Sequence, residues 1–155
     1  MNPNSPVALV TALLVASPSF AAETTTLDAA TRLGPKAAWR TDSAILGDFT
    51  CQGIQQHAIF GTTQSEVVVA VFTRSLNKKP DLLRFASPRW DSPSMTLTTE
   101  SLDFQPDDFK QSLGAVPDGM KSSKTCKGLN LGDGETDSMH IYWNHKDKRF
   151  SAWSL

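Results

Sequence analysis

A chain of 155 residues suits one ordinary domain, able to bury roughly two thirds of the surface that its unfolded form exposes. Its 15 basic and 16 acidic residues leave a formal net charge of −1, which argues against nucleic acid or an anionic membrane as the main partner. Only two cysteines are present, too few for a cysteine-rich metal framework.

The N-terminus opens with the apolar run "VALVTALLVA", Val7 to Ala16, well short of the about 20 residues that a membrane span needs. Pro18 follows, and then Ser19 and Ala21 supply small residues at −3 and −1 of a cleavage site. Residues 1–21 therefore read as a secretory signal peptide, although the segment before the apolar run lacks Lys and Arg. No cysteine follows the run to carry a lipid, and no other segment is long and apolar enough to span a bilayer. The expected location is the periplasm or the medium, and the mature chain would hold about 134 residues. In such a compartment an even cysteine count reads first as a disulfide, here Cys51 with Cys126. A zinc pair or a Cys nucleophile are the alternatives. Neither cysteine has a second Cys or a His at ligand spacing.

Residues 22–43 read as weakly ordered, apart from "TLDAATRLG", where Thr26 would cap a short helix and Gly34 would end it. Residues 44–155 read as the β domain. "QHAIFG" and "EVVVAVF" are apolar, β-branched runs joined by "TTQS" and predict a hairpin. "LLRFAS" and "SMTLTTESL" are shorter strand candidates. "PDDFKQSLG" has Pro106 and two Asp at a helix start and Gly114 past its end. "SMHIYWNH", "KDK" and "RFSAWSL" predict a closing hairpin. On its first strand Met139, Ile141 and Trp143 share the face assigned to the core, and His140, Tyr142 and Asn144 share the other. The expected fold is mainly β, a single antiparallel β domain with one or two short helices and one disulfide; a mixed α+β layer is the alternative.

Candidate chemistry lies in the turns. "LGDFTCQGIQQHAIFG", residues 46–61, has calcium-loop spacing, but beyond Asp48 the alternate positions hold Thr50, Gln52 and Gln56 in place of carboxylates. Ca²⁺ affinity follows ligand charge, so this stretch reads as a structural turn. In "DGETD" Asp133, Glu135 and Asp137 alternate, and they form the candidate metal site, for calcium, with a solvated turn as the alternative. His57, His140 and His145 lack zinc spacing, and His140 and Tyr142 read as a wet sheet face. No G-x-S-x-G, H-E-x-x-H or G-x-x-x-x-G-K-[ST] occurs, so no catalytic residue is assigned. Arg89 and Trp90 in "NKKPDLLRFASPRWDSPS", with His145 and Lys146 in "HKDKR", are the candidate partner-binding residues, since Trp and Arg dominate interface hot spots.

The 46–61 stretch resembles the "D-x-D-G-D-G-x-x-D" loop and strand of FG-GAP and VCBS-like repeats, with three acidic positions replaced by Thr50, Gln52 and Gln56. Joined to "CKGLNLGDGETDSMHIYWN", it is similar to small periplasmic bacterial proteins, some of which act as immunity proteins or inhibitors of cell-wall-degrading toxins. The resemblance implies a non-enzymatic protein that binds a toxin or envelope hydrolase and plugs its active site. The alternatives are a calcium- or carbohydrate-binding envelope module, prompted by "DGETD" and by Tyr142, Trp143 and Trp153, and a small secreted hydrolase.

Overall fold

A computed structural model describes residues 18–86, 94–134 and 138–154, apart from the side chains of 18–22 and 24. In chain order the elements are α1 (Pro18–Leu33), β1 (Ala38–Trp39), a 3-10 turn (Thr41–Ser43), β2 (Ile45–Gly47), β3 (Gln56–Thr62), β4 (Glu66–Phe72) and β5 (Asp81–Ala86). They continue with β6 (Thr96–Leu102), α2 (Pro106–Leu113), β7 (Ser123–Gly132), β8 (Met139–Asn144) and β9 (Arg149–Trp153). The fold is mainly β, in two antiparallel sheets with two helices and the Cys51–Cys126 disulfide, as the sequence predicts. No helix among the described residues is long and apolar enough to cross a membrane.

The first sheet runs β1-β3-β4-β5, with β2 also paired to β3. β1 and β2 share one edge of β3: Trp39 lies opposite Gly61 and Ile45 opposite Ala58. Between them the 3-10 turn breaks the ladder, and a side chain repairs it. The Phe60 amide donates to Ser43 Oγ at 3.2 Å, while the Arg40 amide donates to the Phe60 carbonyl at 2.9 Å. The second sheet is the meander β6-β7-β8-β9, with a register shift between Ser101 and Leu102, whose partners on β7 jump from Lys127 to Ser123.

The sheets meet through their inner faces. Phe60, Val67, Val69 and Val71 of the first pack with Leu97, Leu129, Leu131 and Ile141 of the second. The outer face of the first sheet is covered too: Ala29 and Ala30 of α1 seat against Ile59, Ala70 and Phe72. This two-sided burial is why β4 reads as an uninterrupted apolar run instead of an alternating one. Residues 22–43, expected to be weakly ordered apart from a short helix, thus carry a longer helix and an edge strand. Thr26 does not cap that helix. It lies inside α1, buried, where Oγ1 hydrogen-bonds His57 Nδ1 at 2.7 Å across the sheet face. The expected cleavage site after Ala21 falls within α1, and among the described side chains Leu27, Ala29, Ala30 and Leu33 seat the helix.

On β8 the expectation holds for Met139 and Ile141, which join the inner core, and fails for Trp143. Trp143 belongs to none of the apolar clusters and meets Phe150 edge to face at 5.2 Å. The opposite face of β8 is not wet. Tyr142 and Asn144 are buried there, because α2 and the Pro117–Met120 turn cross over it.

Candidate functional site

The loop between β2 and β3 consumes its own oxygens. Asp48 Oδ1 accepts from the Gln52 amide at 2.9 Å, and Oδ2 accepts from the Gly53 amide at 2.7 Å. Gln56, which stands where a calcium ligand would, is buried as a plug. Its Oε1 accepts from the Phe49 and Thr50 amides, and its Nε2 donates to Thr50 Oγ1 at 2.7 Å and the Thr73 carbonyl at 3.1 Å. Cys51 takes a left-handed φ of 60° and reaches Cys126 on β7, where the Lys127 amide donates to the Asp48 carbonyl at 3.0 Å. The structural reading of this turn therefore has a physical account: the polar groups that a cation would need are hydrogen-bonded within the loop.

The β8–β9 turn carries His145 and Lys146 and is clamped to the Pro117–Met120 turn. Tyr142 Oη and Asn144 Nδ2 both donate to the Asp118 carbonyl at 3.0 Å. The His145 amide donates to the Gly119 carbonyl at 2.9 Å, and Lys146 Nζ pairs with Asp118 Oδ2 at 2.9 Å. Burial pushes the Tyr142 phenol up, and burial followed by the charges of Lys121 and Lys148 pulls the His145 imidazole down.

A concavity that brings aromatic and titratable side chains together lies between α2 and the outer face of the second sheet. Glu100 on β6 reaches across β7 to His140 on β8, with Oε2 at 2.7 Å from Nδ1. It can do so because Gly128 stands between them; a Cβ there would lie 2.9 Å from Glu100 Cγ. A carboxylate only accepts, so Nδ1 donates to it, and in the neutral ring Nε2 is then the acceptor. His140 stacks on Trp153, with centroids 4.2 Å apart and planes at 15°. Phe109 of α2 meets Trp153 edge to face at 5.6 Å, and Phe104 meets Phe109 at 4.9 Å. The result is a groove of about 590 Å³ walled by Phe104, Phe109, Leu113 and Trp153, with Asp103 and Asp108 on its rim. No residue of α2 is fully buried, so the helix is held mainly by these rings and by Ser122, which exchanges hydrogen bonds with the Phe104 backbone. Ser112 also lines the groove, but its hydroxyl donates to the Asp108 carbonyl at 3.0 Å; among the described residues no hydroxyl or thiol is hydrogen-bonded to His140. Chemically the arrangement is an apolar slot with an oriented acceptor at its floor and negative charge at its lip.

The sequence-predicted residues do not converge. His145 and Lys146 sit at the turn end of β8. Asp133 follows β7 at the opposite end of that sheet, while Glu135 and Asp137 lie outside the described residues, as do Arg89 and Trp90. Among the described residues no three His, Cys, Asp or Glu are placed to hold a metal ion. Sequence reasoning missed Glu100, Gly128, Phe104 and Phe109. The one available signal was a glycine within an otherwise strand-like "TCKGLNLG", a pattern that marks close approach. No family model, no curated protein and no solved structure matches this chain.

Proposed function

We propose that this chain is an exported, non-enzymatic binding protein of the periplasm or medium, and that it serves as an inhibitor or immunity protein against a toxin or envelope hydrolase. The disulfide fits an oxidising compartment. The observation that carries the reading is the α2 groove: an apolar slot with an acidic lip, on a scaffold covalently stapled nearby. Such a slot takes an aromatic or aliphatic side chain of a protein partner, with a neighbouring Lys or Arg of that partner meeting Asp103 and Asp108. His145 and Lys146, and Arg89 and Trp90, remain candidate contacts.

The test is to incubate the purified chain with periplasmic and secreted extract, identify what it retains, and assay that species. A cell-wall hydrolase or lipase retained one to one and inhibited, with inhibition lost in Phe109→Ser and Asp108→Lys, supports the reading. Retention that both variants leave intact moves the interface away from the groove. No stoichiometric partner at all counts against the protein-binding reading itself.

A further inference from the structure

A second pocket lies at the end of the sandwich where the β2–β3 loop, the β4–β5 loop and the β8–β9 turn come together. It encloses about 310 Å³, at the small end of ligand pockets, and suits a single monosaccharide unit. Thr50 and Gln52 enter it from the first connection, Thr73, Arg74 and Asp81 from the second, and Trp143 and Lys148 from the third. We infer that this pocket is a binding site for an acidic sugar, a pyranose bearing one carboxylate.

Three independent observations carry the assignment. Trp143 is a large apolar side chain that no core cluster absorbs, and it gives the pocket a wall suited to the C–H face of a pyranose. Arg74 and Lys148 line the same pocket and have no ion-pair or hydrogen-bond acceptor among the described residues; several other lysines share that state, but the other described arginines, Arg32, Arg40, Arg84 and Arg149, are all bonded. The backbone is the third. The two non-glycine residues with positive φ in the described chain are Cys51 at 60° and Lys148 at 55°; Cys51 lies between Thr50 and Gln52 of the pocket lining, and Lys148 lines it directly. The disulfide accounts for Cys51. Nothing in the packing demands a lysine at Lys148, where glycine or asparagine would adopt the conformation with less strain. The hairpin turn, closed by the Lys148 amide on the Asn144 carbonyl, thus sets a long cationic side chain at the pocket wall where a smaller residue would fit the backbone better.

The charge pattern selects the ligand class. Two cations against the one carboxylate of Asp81, which Thr73 Oγ1 holds at 2.8 Å, leave a single positive charge in excess. A monoanionic carboxylate neutralises that excess on Arg74, which offers planar two-point contact, and on Lys148. Asp81 and Gln52 then face hydroxyls. A phosphate dianion would meet Asp81 unfavourably, and a neutral sugar would leave both cations unanswered. The site is separate from the α2 groove, and it stands or falls without reference to the partner there.

The decisive experiment follows the Trp143 indole N–H resonance of ¹⁵N-labelled protein, assigned by its loss in Trp143→Phe, during titration with glucuronic acid, glucose and acetate. The expected result is a saturable shift with glucuronic acid in the millimolar range, with glucose and acetate each at least about tenfold weaker. Arg74→Gln should weaken glucuronic acid about tenfold, the loss of a charge-assisted hydrogen bond. Lys148→Gly should weaken it similarly while leaving the melting temperature unchanged or higher, so that lost binding is not lost folding. Equal shifts with glucose, equal shifts with acetate (an adventitious ion only), or wild-type binding in both variants would each overturn the assignment.

Discussion

Removing the disulfide should cost this domain a large part of its stability, and the size follows from where it sits. Cys51 and Cys126 are 75 residues apart, and cross-linking a loop of that length removes about 4.5 kcal/mol of chain entropy from the unfolded state. One term opposes it. The bond holds Cys51 at φ 60°, which costs a residue with a Cβ about 1 kcal/mol, and a free chain can relax there. Cys51→Ser with Cys126→Ala should therefore lose about 3 to 4 kcal/mol net, with alanine chosen because Cys126 is buried beside Leu102 and Tyr142. For about 134 residues the unfolding entropy is about 0.28 kcal/mol per degree, so the melting temperature should drop by about 12 °C. Urea unfolding followed by circular dichroism gives both quantities, and the m-value should rise because the uncrosslinked chain exposes more surface when unfolded. A second pair, Cys51→Gly with Cys126→Ala, tests the backbone term: the serine pair has already relaxed at position 51, so the glycine pair should be no more stable than the first. A loss below about 1 kcal/mol in the serine pair, with an unchanged m-value, would refute the chain-entropy argument.

Three further outcomes follow from single contacts. Gln56→Leu strips the acceptor from the Phe49 and Thr50 amides and should lower unfolding free energy by about 2 to 4 kcal/mol in urea, with exchange of those two amides accelerated. Gly119 has φ 73°, and an added Cβ would overlap Asn144 Oδ1, so Gly119→Ala should cost about 2 kcal/mol or more and release the β8–β9 turn, seen as faster exchange of the His145 amide. Burial lowers the His57 pKa below its usual 6.5, so as pH falls through 6.5 the unfolded chain takes up a proton that the folded chain does not, and stability falls. His145 acts in the same direction, and His57→Gln should flatten the melting-temperature profile between pH 7 and 5 without abolishing it. A profile identical to wild type would mean that His57 is not coupled to folding.

The elements that were legible in the sequence are those whose signal is local. "EVVVAVF" declares a strand by β-branching, "PDDFKQSLG" declares a helix by its Pro start and Gly stop, and "SMHIYWNHKDKRFSAW" declares a hairpin. What stayed hidden depends on pairing over distance. β7 was missed as a strand because Lys127, Gly128 and Asn130 interrupt its apolar pattern, and Gly128 is there to let Glu100 pass. Alternation on β8 separates its two faces, but it cannot say that a turn 24 residues upstream covers Tyr142. β1 and β2, with two and three residues, are strands only because β3 is there to pair with them. The candidate groove was illegible for the same reason. Its members come from β6, α2, β8 and β9, and only the folded second sheet and the chain crossing from β6 to β7 bring them together.

Among the described residues, several non-local ties meet at one end of the sandwich, and that bears on function. There the disulfide and the Lys127–Asp48 backbone bond join the two sheets, Gln56 ties the β2–β3 loop to Thr73, and Asp118 and Gly119 tie the β6–β7 crossing to the β8–β9 turn. Every connection at that end is thus bonded to another one. Surface loops are ordinarily the mobile part of a β fold, and ordering them on binding costs about 0.5 to 1.5 kcal/mol for each side chain immobilised. Here the ordering is done during folding. The pocket around Trp143 is lined by three of these tied connections, so a ligand there meets walls already in place. Rigidity of this kind suits recognition by shape and charge better than a chemistry that needs a closing lid, and it is in keeping with the binding role proposed above.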